Sequence, residues 1–171
     1  PDESATTEIF DRFDFNVDAA IKSLKYADYR PTNLKAVGNI KPNLMEISSA
    51  NGTLGQSEFS GSGTMTNLFD YTFGEGVLGG NMSVQSAFID LADIISEEAA
   101  ESTAAGTSPE EALAAIPIPS NINLNVDMKA DQVKYDNIDL NQVLGQLVMQ
   151  GGQVVIEDGS AALLGGRMNF A

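Results

Sequence analysis

Along residues 121–140, NINLNVDMKADQVKYDNIDL, apolar and polar side chains take turns. Ile122, Leu124, Val126, Met128 and Ala130 fall on one parity, and Asn121, Asn123, Asn125, Asp127, Lys129 and Asp131 on the other. Successive side chains of a strand point to opposite faces, so the pattern predicts a strand with one apolar and one wet face. FDFNVDAAIKSLKY repeats it, with Phe13, Phe15, Val17, Ala19 and Ile21 against Asp14, Asn16, Asp18 and Lys22. Further strands are expected in NLKAVGNI, in NLMEISSANGTLGQSEFSGSGTM and in GGNMSVQSAFIDL, punctuated by Pro31, Pro42, Gly52 and Gly55. Gly151–Gly152 reads as a hairpin turn, and Gly165–Gly166 as a bulge or bend.

The alternation stops between Ser96 and Pro119, where Ala, Glu, Ser and Thr leave little to bury. Leading into it, the GGNMSVQSAFIDL strand runs into ADIISEEAAES (92–102), which predicts a short helical stretch. SPEEALAA predicts a second helix start, with Ser108 as N-cap, Pro109 at the first helical position and Glu111 closing a capping box. After this acidic connection the first pattern returns. FNVDAAIKSLKY (15–26) lies over LNVDMKADQVKY (124–135) without a gap; small gaps bring Gly38 to Gly145 and TLG (53–55) to LLG (163–165). A strand–strand–strand module therefore occurs twice. The expected organisation is a lead-in over 1–12, a first β module over 13–95, an acidic linker with a short helix over 96–119, and a second β module over 120–171.

Composition narrows the chemistry. The 171 residues carry a net charge of −15, with 24 acidic and 9 basic side chains, which argues against a nucleic-acid partner and against electrostatic docking on anionic headgroups. Without His or Cys there is neither the usual general base nor a thiolate nucleophile, and no Ser–Lys motif replaces them. Gly61-Ser62-Gly63 lacks the context of a dinucleotide-binding loop, and Asp11, Asp14 and Asp18, like Asp127 and Asp131, miss EF-hand spacing. The expectation is a protein that is not an enzyme, with no catalytic residue, metal site or cofactor. No run approaches the roughly 20 apolar residues of a membrane helix. The chain opens on Pro1 and closes on GGRMNFA, so both ends read as cut and targeting information is expected outside them.

The second module carries a further signal. Val133, Tyr135, Ile138, Leu140, Val143, Gly145, Leu147, Gly152, Val154, Ile156, Ala161, Leu163, Gly165 and Gly166 sit in a spacing that resembles the C-terminal region of AsmA-like proteins of the AsmA/TamB superfamily. The acidic linker and IPIPSNI are similar to the Bacteroidetes-type versions. The likeness is firm over 120–171 and looser over 13–95. It implies a mostly β protein on the periplasmic side of the Gram-negative inner membrane, held there by an N-terminal anchor that these residues do not include. It also implies a role in outer-membrane biogenesis, with phospholipid moving along an apolar β-groove. The usual module runs on for further strands beyond the last residue here.

The expected fold is thus all-β: two repeated antiparallel modules in a curved, half-open sheet, a β-groove or rolled sheet, with a short helical acidic insertion. The candidate groove lining is Phe13, Phe15, Val17, Ile21, Ile122, Leu124, Val126, Met128, Leu147, Met149, Val154 and Ile156. An acyl chain laid on such a face would lose water at roughly 0.8 kcal/mol per CH₂, and could slide because that attraction has no direction. Small or flexible linings such as Ala19, Ala130, Met128 and Met149 suit this. The same residues could instead meet in a sealed core. The chain would then be a structural or protein-binding β spacer whose wet face or edge recruits an envelope protein. A lipocalin-like barrel fits less well, because the insertion and the repeat do not suit a simple up-and-down barrel.

Overall fold

A computed structural model describes residues 13–25, 29–94, 118–163 and 165–170. Nine strands form one open sheet in sequence order: β1 (Phe15–Ser23), β2 (Thr32–Lys41), β3 (Leu44–Leu54), β4 (Ser57–Thr66), β5 (Leu78–Asp90), β6 (Ile122–Tyr135), β7 (Ile138–Gln150), β8 (Gln153–Leu163) and β9 (Gly166–Phe170). Every neighbouring pair is antiparallel except β5 and β6, which run parallel. Two antiparallel meanders are therefore joined by a single parallel seam. A parallel pair needs a crossover rather than a tight turn, and the acidic insertion supplies its length. Residues 95–117, which include the helix expected at Pro109, lie outside the described residues.

Two-residue turns join β2 to β3, β3 to β4, β6 to β7, β7 to β8 and β8 to β9, whereas longer connections join β1 to β2 and β4 to β5. Gly151 and Gly152 both have positive φ, 60° and 82°, between the paired Gln150 and Gln153, as a twist-compatible hairpin requires. Gly165, expected at a bulge or bend, instead belongs to a hairpin turn: Leu163 pairs directly with Gly166, and Gly165 has φ 78°. Where the register slips inside strands, it does so around Asn33 (φ 53°) in β2, at Ser48–Ser49 in β3, around Gln142 (φ 50°) in β7 and around Asp158 (φ 52°) in β8. Such irregularities bend a strand and increase its twist.

The sequence repeat has a direct counterpart in the sheet. Phe15 and Leu124 lie on one line of cross-strand partners, running Phe15–Ile40–Met45–Met65–Gly80–Leu124–Met149–Val154. Val17 and Val126 share the next line, through Gly38, Ile47, Gly63, Met82, Leu147 and Ile156. Ala19 and Met128 share the third, through Ala36, Ala50, Gly61 and Val84 to Gly145. The ungapped alignment of the two segments is thus the alignment of two strands at the same height and in the same direction. The parallel seam makes this possible, since it lets β6 start level with β5.

Outside the sheet lie a short helix, α1 (Leu68–Phe73), between β4 and β5, and a 3₁₀ turn (Leu91–Asp93) after β5. The sequence reading did not anticipate α1. A buried cluster forms at the far end of the sheet, where Ile89 and Leu91 pack with Ala130, Val133, Leu140, Val143 and Ala161.

Candidate functional site

Which way the sheet bends is written in its glycines. A Cβ on Gly38 would stand 2.2 Å from the carbonyl oxygen of Glu46 on the neighbouring strand. On Gly61 it would stand 2.5 Å from that of Ser83, on Gly63 2.3 Å from Asn81 and on Gly80 2.3 Å from Thr64. In a flat sheet a Cβ points clear of its neighbours. Here the adjacent backbone has swung into the space the side chain would occupy. All four glycines belong to the apolar lines described above, so the sheet folds toward its apolar face, most tightly between β4 and β5. At these crossings the apolar side is the inside of the bend, while toward the far end the polar face is itself hollowed, with Lys35, Asn51, Ser60, Gln85 and Lys129 around a space of about 620 Å³.

Two contacts confirm the curl and bridge the ends of the gutter formed by β1–β5. At the near end, Phe13 stacks on Phe15 with ring centroids 5.0 Å apart, and meets Phe69 of α1 edge to face at 5.2 Å. Along the sheet β1 and β4 are three spacings apart, about 14 Å, so α1 must lean back across the mouth to reach Phe13. At the far end, the Tyr29 hydroxyl donates to the carbonyl of Ile94 at 2.8 Å, joining the segment after β1 to the segment after β5. The turn between them is pinned from below. The Gln56 N–H donates to Asp93 Oδ2 at 2.8 Å, the Ala92 N–H to Asp90 Oδ1 at 3.1 Å, and the Asp90 N–H to Ser57 Oγ at 3.0 Å. Lys134 adds an ion pair to Asp90 at 3.5 Å.

Between these ends the concave face is unevenly covered. Val126, Val154 and Ile156 are buried, as is Ile47, whereas Phe15 is 59% and Ile21 45% exposed. Val17, Leu34, Ile40, Met45, Met65, Met82, Val84, Leu124, Met128, Leu147 and Met149 are partly buried. The depth of the gutter shields its middle, and nothing among the described residues covers the β1 side.

The opposite face is wet and paired across strands. Asn125 donates to Asn81 at 3.1 Å over the parallel seam, Gln146 to Asp127 at 3.2 Å, and Asn39 to Asn16 at 3.3 Å as well as to Asp14. Lys41 and Glu46 form an ion pair at 3.1 Å, and the hydrogen bond that Lys41 donates to Glu46, followed by the charge of that carboxylate, holds the Lys41 ammonium above its ordinary value of 10.5. Asp14, just ahead of β1, and Asp18, Asp127 and Asp131 on their strands are all exposed. Among the described residues no group of three or more acidic side chains is placed to hold a metal ion.

The strands carry the candidate lining residues to one side. Phe15 and Val17 on β1, Leu124, Val126 and Met128 on β6, Leu147 and Met149 on β7, and Val154 and Ile156 on β8 belong to the apolar lines, and Ile21 continues the same parity on β1, paired with Leu34. Ile122 pairs with the buried Leu78 at the start of the seam, and Phe13 sits in the aromatic cluster at the near mouth. The middle of the face was missed: Leu34, Ile40, Met45, Ile47, Met65, Met82, Val84 and the α1 rings Phe69 and Phe73. Glycine interrupts the apolar parity in β2, β4 and β5, and those same glycines were the signal to read, since Gly61 and Gly63, two apart, can only share a face.

The described residues form an open, curled all-β sheet, two antiparallel meanders joined by one parallel seam, with one apolar face and one polar face. No family model, no curated protein and no solved structure matches the chain.

Proposed function

We propose that the chain is a non-enzymatic segment of an AsmA-like protein of the Gram-negative envelope, on the periplasmic side of the inner membrane. Its concave face offers apolar surface to phospholipid acyl chains in transfer or outer-membrane biogenesis. One observation carries this reading: two lines of apolar residues and glycines cross eight strands and a third crosses seven on the inside of the bend, and among the described residues nothing covers the β1 side of that face. A monomeric sheet gains by burying such a face, and an exposed apolar surface of this extent marks a binding surface. Along the three lines the described residues present only apolar side chains and glycines, which suits a ligand held by desolvation alone. The partners are acyl chains and, through the same envelope location, other envelope proteins.

The second reading, a structural or protein-binding spacer, draws on the sealed cluster around Ile89 and Ala130 at the far end. Native mass spectrometry on the chain purified without detergent and incubated with phospholipid separates the two. The groove reading expects one or more bound lipid masses, reduced at least tenfold by Met65→Asp together with Met82→Asp in protein that keeps its β circular-dichroism signal. Lipid-free protein at every phospholipid concentration would leave the spacer reading in possession.

A further inference from the structure

The polar face carries a feature that the groove does not use. Near the far end the two-residue alternation breaks. Ala130 and Val133, three apart, both enter the buried cluster, as do Leu140 and Val143, with Gln142 at φ 50° between the latter two. The crease opens a cleft of about 570 Å³ next to the β8–β9 turn, with Lys129, Asp131, Gln142, Leu144, Gly165 and Arg167 around it. Arg167 Nη2 donates to Ser160 Oγ at 3.2 Å, and Ser160 is buried, so the guanidinium is held from behind. Lys129 has no carboxylate partner among the described residues. Space is open beside Gly165, where a Cβ would meet nothing within 4 Å.

We propose that this cleft binds the phosphate ester of a small polyol, with Arg167 and Lys129 on the phosphoryl group and Asp131 and Gln142 on the hydroxyls. A guanidinium presents a fork of donors that matches a phosphoryl oxygen pair, and an ammonium adds a point charge beside it. In a chain of net charge −15, two cations facing one hollow stand out from the background. The volume exceeds that of a bare ion and falls in the range of small-molecule sites, roughly 300–1,000 Å³. The body of the ligand must then meet the remaining lining. Asp131 accepts hydrogen bonds and repels a second phosphate, and Gln142 both donates and accepts. The chemistry is shared by a free sugar or glycerol phosphate and by a polyol-phosphate lipid headgroup. The cleft uses different residues from the groove and can fail or succeed without it.

The test is a titration of the isotopically labelled full chain with glycerol 3-phosphate, followed by backbone amide shifts. Saturable shifts are expected at Gln142, Gly165 and Arg167. Arg167→Gln and Lys129→Gln should each weaken binding at least tenfold with unchanged circular dichroism, and Lys35→Gln should leave it unchanged. Phosphatidylglycerol vesicles that bind and are displaced by glycerol 3-phosphate, beside phosphatidylcholine vesicles that do not bind, would identify the source as a headgroup. Glycerol 3-phosphate binding without vesicle binding would identify it as a free metabolite. Absent shifts, shifts that persist in both Gln variants, or inorganic phosphate binding as tightly as the ester would each overturn the proposal.

Discussion

Gly80 and Gly151 show how differently two glycines can serve one sheet. Gly80 lies in extended β5, but its missing Cβ leaves room for the carbonyl of Thr64, 2.3 Å from where that atom would sit. Gly151 has open space on all sides and is needed for its φ of 60°. Gly80→Ala must push β4 and β5 apart and partly unroll the gutter. It should cost about 1–3 kcal/mol, as overpacking does, with a change in the urea m-value if the curl opens. Gly151→Ala should cost about 1 kcal/mol through backbone strain alone and leave the m-value unchanged. Equilibrium urea unfolding of both variants checks the pair. A gentler pH effect belongs to Lys41: its raised value means that the stabilisation from Glu46 is complete at neutral pH and fades only as pH climbs past 10.5. An alkaline titration of stability in wild type and Lys41→Met should therefore converge above that point.

At the scale of elements, the two bridges over the gutter are separable. Asp93 ties the 3₁₀ turn to the β3–β4 hairpin through the Gln56 N–H and, at 3.4 Å, the Ser57 hydroxyl. Asp93→Ala should cost about 1–2 kcal/mol. The loss of amide-exchange protection should be confined to residues 55–57 and 90–94, without touching α1. Phe69→Ala acts at the other mouth and should loosen α1 while leaving the far-end cluster protected. The strands themselves were legible in the sequence because alternation, turns and the repeat all pointed the same way: β1 and the first part of β6 fall where the parity runs clean. The helix α1 was not legible, since LFDYTF is six residues with Thr and three aromatics, and its position is fixed by Phe13, just ahead of β1, rather than by helix propensity. Nor was the parallel seam. It depends on where β6 docks after the acidic connection, and local pattern carries no information about that.

For the molecule as a whole, the decisive feature is that the bend and the apolar parity fall on the same side. Alternation predicts two faces but is silent on which becomes concave. That follows only from glycines packed against neighbouring backbone, and they are the residues a hydrophobic count overlooks. The outer edges of β1 and β9 have no strand beside them among the described residues, and unpaired edges of this kind invite association. Sedimentation velocity across a concentration series should therefore show reversible self-association, reduced by Ala20→Pro on the β1 edge. The account's central claim is that acyl chains lie against the concave face, and site-specific photocrosslinking tests it most directly. A benzophenone side chain is placed in turn at Met45, Met82 and Leu147 on the concave lines, and at Val37 and Val155, which are exposed on the other face. After irradiation with phospholipid, the first three should gain the mass of one phospholipid and the last two should not. Equal labelling on both faces, or none on the concave one, would contradict the account.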